Sequence, residues 1–153
     1  MPGDDSASLL TAHLGYWMRM VSNHVSHQFS LKVEAHGVTV AEWVVLRELL
    51  RVGACNPSRI ADGLSMTRGT ISKLTERLVA KRLVRRTATG GDRRFQLIDL
   101  TAAGKKLVPM LARLADQNDD EFFGHLTAKQ RADLLATLQE IVRRREISVV
   151  PVD

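Results

Sequence analysis

Apolar residues recur three or four positions apart along most of this chain, the spacing that gathers side chains onto one face of an α-helix. Leu10, Leu14, Trp17, Val21, Val25 and Phe29 form the first such stripe and predict a helix over about residues 8–34, broken by His36 and Gly37. Thr39 and Glu42 (TVAE) have the spacing of a capping box, with Val38 and Trp43 placed as a hydrophobic staple, so a second helix starts there and ends at Gly53. Asn56 then Pro57 reads as the N-cap and first residue of a short third helix through about Leu64. Ser65 and Met66 separate it from Thr67, the N-cap of a fourth. Two short helices around a tight turn predict a helix-turn-helix.

The helical period then lapses. LVRRTATG and FQLIDL are strand candidates on either side of Gly90 and Gly91, which accept positive φ without steric cost and mark a reversal. Asp92 is suited to brace that turn, and Arg93 and Arg94 project from its tip. Thr101 caps a fifth helix to about Phe123, striped by Leu107, Leu111, Leu114 and Phe122 and kinked at Pro109. Thr127 and Gln130 form a second capping box before a last helix whose apolar face is Leu134, Leu135, Leu138, Ile141 and Val142. The first and last helices carry stripes that the small central module cannot cover, which predicts pairing with a second copy. The predicted fold is mainly α with a small β-hairpin wing: a winged helix-turn-helix plus helical dimerisation arms. Residues 1–153 make one domain, with 8–36 and 102–148 as the dimerisation region and 38–101 as the winged helix-turn-helix lobe.

Charge sharpens this picture by its location. Between Asn56 and Thr101 there are ten Lys or Arg against four acids, a surplus of six, so the remainder of a chain of net charge +5 stands at −1. A basic centre between near-neutral ends suits a polyanion, because clustered cations gain from the release of condensed counterions. Double-stranded DNA is the expected partner. The fourth helix fits: Ile71, Leu74 and Leu78 share one face, leaving Gly69, Ser72, Lys73, Glu76 and Arg77 on or beside the other. Short side chains at its start permit close approach to a major groove, and Thr, Ser, Lys and Arg donate to phosphates and base edges. Alone, such a face equally describes an ordinary surface helix. The hairpin that follows tips the reading, since its arginines would fall beside the adjacent minor groove.

The order of elements, LRELL in the second helix, the run RIADGLSMTRGTISKLTERLVAKRLVRR and the closing DRRFQLIDLTAAG together resemble the MarR family of bacterial winged helix-turn-helix regulators. The most specific features are the spacing from fourth helix to hairpin and D-x-R followed by LTxxG, here Asp92, Arg94, Leu100, Thr101 and Gly104. The resemblance covers nearly the whole chain. It implies a homodimeric transcriptional regulator on a palindromic operator, with terminal helices at the dimer interface and, in many members, release by a small phenolic or aromatic acid. It also implies groove-reading roles for Thr67, Arg68, Thr70, Ser72, Lys73 and Arg77, and a minor-groove role for Arg94 beside Asp92 and Arg93. Gly69 departs from the polar residue often found at its position.

For an effector, Trp17 and Trp43 are candidate pocket aromatics, with His13 and Arg47, or Arg19 in its place, as carboxylate anchors; packing in the core or an interface is the simpler account of each tryptophan taken alone. Cys55, the single cysteine, precedes a helix N-terminus, where a dipole lowers a thiol pKa, yet a small half-buried residue is the simpler reading. His24 and His27 share a helix face, but no second cluster completes a metal site with Glu34 or His36, so no metal and no cofactor is expected. An enzyme would need a nucleophile with an orienting base, and no such context surrounds Cys55. A helical dimerisation or protein-interaction module without a sensor role is the alternative, and it leaves the basic segment unexplained. No apolar run reaches membrane-spanning length and MPGDDSASLL lacks the features of a secretion signal, so no membrane partner and a cytoplasmic location are expected.

Overall fold

The computed structural model describes residues 7–88 and 96–152. A 3-10 turn at Leu10–Ala12 precedes α1 (Leu14–Glu34), α2 (Val40–Val52), α3 (Pro57–Leu64), α4 (Arg68–Ala80), β1 (Val84–Ala88), β2 (Gln96–Leu100), α5 (Ala102–Phe123) and α6 (Ala128–Arg144). The Gly90–Gly91 turn and the expected contacts Asp92, Arg93 and Arg94 lie outside the described residues.

Side chains set most helix starts as expected. Both capping boxes form, Thr39 with Glu42 and Thr127 with Gln130, while Asn56, Thr67 and Thr101 each accept from the amide three residues on. The long first helix is interrupted, however. His13 is extended and gives α1 no side-chain cap. The indole of Trp17 donates to the Thr11 carbonyl at 2.9 Å, and the amides of Ala12 and His13 close a tighter turn on Leu9 and Leu10. Those carbonyls are therefore engaged before an α-helical ladder could use them.

The core is built by the central lobe. Leu46 and Leu49 of α2, Ile60 of α3, Ile71 and Leu78 of α4, Ile98 and Leu100 of β2 and Leu111 of α5 are buried together. The turn between α3 and α4 is closed by Ser65, left-handed at φ 52°, with the Met66 amide bonded back to the Ala61 carbonyl at 2.9 Å. β1 and β2 pair antiparallel, Val84 opposite Leu100 and Ala88 opposite Gln96. On its other edge Ile98 exchanges two backbone hydrogen bonds with Cys55, so β2 is held from both sides. The helix continues through Pro109.

The LTxxG run has a geometric reason. The Thr101 amide and hydroxyl bond the carbonyls of Leu83 and Arg82 at 3.0 and 2.8 Å, seating the start of α5 against the end of the helix-turn-helix. A Cβ at Gly104 would stand 2.2 Å from the Leu83 carbonyl oxygen. Because that atom is backbone, only movement of α5 could relieve the clash. Gly104→Ala is expected to destabilise the protein by about 1 to 3 kcal/mol, the usual cost of overpacking, seen as a lower urea midpoint with an unchanged m-value.

Candidate nucleic-acid interface

On α4 the inner residues Ile71, Leu74, Thr75 and Leu78 are buried, which turns Arg68, Gly69, Ser72, Lys73, Glu76 and Arg77 outward. Thr67 and Thr70 are exposed at its start, but their hydroxyls are engaged: Thr67 accepts from the Thr70 amide at 3.1 Å and the two oxygens lie 2.9 Å apart. Thr67 therefore shapes the helix end as well as lining it. Among the described residues none of Arg68, Lys73 and Arg77 enters an intramolecular ion pair, so their charge faces solvent. At the base of the strand pair Arg85 meets Asp99 across the strands at 3.3 Å.

What holds α4 in place was not apparent from residue spacing. Lys81, the residue closing α4, sends its ammonium to the Gly37 carbonyl at 2.8 Å and to both carboxylate oxygens of Glu42, at 3.0 and 2.7 Å. Glu42 is only 1% exposed. The capping-box residue of α2 is thus also an interior anion neutralised from the far end of α4.

The expected effector residues separate. Trp43 lines a cavity between α1, α2 and α5 and stacks edge-on to Phe29. His13 lines a different depression along the first part of α1, shared with Tyr16 and Arg19. Trp17, 48% exposed and edge-on to Tyr16, and the exposed Arg47 line neither. Arg47 instead sits near Glu48, whose carboxyl is held below its usual range chiefly by hydrogen bonds from Arg51. Within one protomer the four residues do not form one pocket.

Cys55 is buried in the sheet, and burial pushes its thiol pKa up, opposite in sign to the helix-dipole expectation; nearby Arg59 only partly offsets this. Among the described residues no three of His, Cys, Asp and Glu gather as a metal site, and no helix is long and apolar enough to cross a membrane.

A helix-turn-helix with an exposed cationic second helix, followed by an antiparallel strand pair, defines a winged-helix DNA-binding protein. Residues 36–94 match the MarR family. The chain is 25% identical over 141 residues to the transcriptional repressor NicR of Pseudomonas putida, covering 92% of this chain and 89% of NicR. It is also 25% identical to the multiple antibiotic resistance protein MarR of Escherichia coli, over 86% of this chain and 89% of that one. Among solved structures, Bordetella bronchiseptica BpsR superposes with a TM-score of 0.74 at 25% identity, covering 89% of this chain and 97% of that one. Reduced E. coli MarR gives 0.71 at 25% identity, covering 85% and 96%. The match over residues 36–94 and these relatives support a DNA-binding transcriptional regulator similar to the MarR family.

Lys81→Met strands the Glu42 carboxylate and should cost roughly 3 kcal/mol in urea unfolding, the low end for a broken interior pair because Lys81 is itself 38% exposed. Glu42→Gln, which can keep the cap and still accept from Lys81, should cost much less. A maleimide should label Cys55 slowly in the native protein and rapidly in denaturant; fast native labelling would contradict the burial.

Proposed function

We propose that two copies of this chain pair through α1 and α6 and present two α4 helices to a palindromic operator, where the dimer represses transcription. The observation that carries this reading is the uncovered apolar surface of those helices. Leu14 is 87% exposed, Leu135 56% and Ile141 46%, and α6 has no buried residue. Exposed apolar surface on both terminal arms is the mark of an interface. The named repressor activity of NicR supports the sign of regulation.

In this reading Thr67, Arg68, Thr70, Ser72, Lys73 and Arg77 meet the major groove. Thr67 and Thr70 act mainly by shaping the helix start and Lys73 and Arg77 mainly by charge. Asp92, Arg93 and Arg94 serve the minor groove. A small aromatic or phenolic effector releases the operator from the cavity beside Trp43, a role supported by the regulation of BpsR DNA binding by 6-hydroxynicotinic acid.

Sedimentation and duplex titration test the assembly and the contacts together. A dimer is expected at micromolar concentration, with an unfolding midpoint that rises with protein concentration. Lys73→Ala should lower affinity for a duplex selected from a random library. If Lys73 meets only phosphate, the loss is even across sequences and the salt slope falls by about one unit per site; if it reads a base edge, preference relaxes by about 1 to 3 kcal/mol at one position. A monomer that binds this duplex as tightly as a dimer would refute the paired arrangement.

A further inference from the structure

The cavity between α1, α2 and α5 has a volume of about 350 Å³ and is walled mainly by apolar side chains, among them Phe29, Val40, Trp43 and Val44. One wall comes from far along the chain: Val150 and Pro151 of the C-terminal segment. The route there is specific. After α6 ends at Arg144, Glu146 adopts a left-handed φ of 51° and the Ile147 amide bonds the Val142 carbonyl at 3.0 Å. A left-handed residue just past a helix closes its last carbonyls and redirects the chain.

Beyond that point the segment carries no regular structure; Ile147 and Ser148 are exposed, and exposure alternates from Val149 to Val152. Val149 is 75% exposed, whereas Val150 and Val152 are half-buried and Val150 packs on the main core. Period-two burial is what an extended segment shows when one face lies on a surface. Residues 147–152, ISVVPV, contain no charged side chain, so seating them on an apolar wall desolvates no ion. Pro151 fixes its own φ and brings no amide donor that would need a partner there. A preset backbone also loses less entropy on docking.

We infer that the C-terminal segment, residues 147–152, is a docked strap that closes one side of this cavity through Val150 and Pro151 and can come off it. An effector that fills this cavity beyond the space left beside Val150 and Pro151 must displace them. The free energy with which the segment docks then subtracts from the effector's affinity, since only the undocked fraction is competent to bind. This competition rests on the effector reading under Proposed function; the docking of the segment does not.

The test uses the two tryptophans. In a Trp17→Phe background Trp43 is the sole reporter. Acrylamide quenching of Trp43 is compared in the full chain, in a chain ended after Glu146 and in Val150→Asp, with circular dichroism confirming equal helix content. Quenching should rise at least twofold in both altered proteins. A synthetic peptide of residues 147–153, added to the shortened chain, should restore protection. Equal quenching in all three proteins would overturn the proposal, as would a peptide that protects nothing.

A second arm separates this inference from the effector reading. With 6-hydroxynicotinate as probe, the shortened chain should bind several-fold more tightly than the full chain. Weaker or equal binding by the shortened chain would overturn the competition. Failure of the probe to bind either form, with the quenching difference intact, would count against the effector reading and leave the docked strap standing.

Discussion

A carboxylate sealed from solvent sets the position of α4, the second helix of the helix-turn-helix. Glu42 closes the start of α2 and neutralises Lys81 at the end of α4, while the same ammonium bonds the Gly37 carbonyl in the turn that joins α1 to α2. Apolar contacts alone tolerate small sliding, but an interior anion loses several kcal/mol if its cation moves away. The far end of α4 is therefore pinned to a corner of the molecule, not merely packed near it. Val40 and Trp43 leave the same turn of α2 toward the cavity, so one turn of helix sets both that wall and the outward face of α4.

The parts of this architecture that could be read from residues alone are those governed by neighbours in sequence. Thr39, Asn56, Thr67, Thr101 and Thr127 announce helix starts because a capping hydroxyl or amide reaches only three residues ahead. The outward face of α4 was equally legible, since three apolar positions at helical spacing dictate which side is buried. The interruption at His13 was not, because an apolar stripe does not disclose that the Trp17 indole will take a backbone carbonyl from the preceding turn.

Features decided between distant segments stayed hidden. Nothing local to Lys81 marks it as the partner of Glu42, and nothing near Gly104 reveals that the Leu83 carbonyl lies against it. Cys55 is the buried small residue that its sequence context favoured, but the sheet that encloses it and raises its pKa could not be read from its neighbours. The candidate effector residues illustrate the same limit. His13 and Trp43 were grouped by type and by helix, yet they line separate hollows, and the cavity that Trp43 does line is finished by Val150, a residue with no chemical signature of its own.

Among the described residues α1 is the α-helix whose start no side chain caps; His13, at that position, points its ring back to the carbonyls of Leu9 and Leu10. The Tyr16 amide bonds the His13 carbonyl at 3.2 Å, and the exposed residues around it leave the remaining first-turn amides within reach of water, which serves them nearly as well as protein would. A turn can thus be added to or melted from this end at little cost, while the capped helices begin where their hydroxyls and amides dictate. Two kinds of coordinate result within one chain. The setting of α4 is stiff, and the reach of the first arm is soft, able to take up differences in whatever lies beside it without transmitting them to the helix that faces outward.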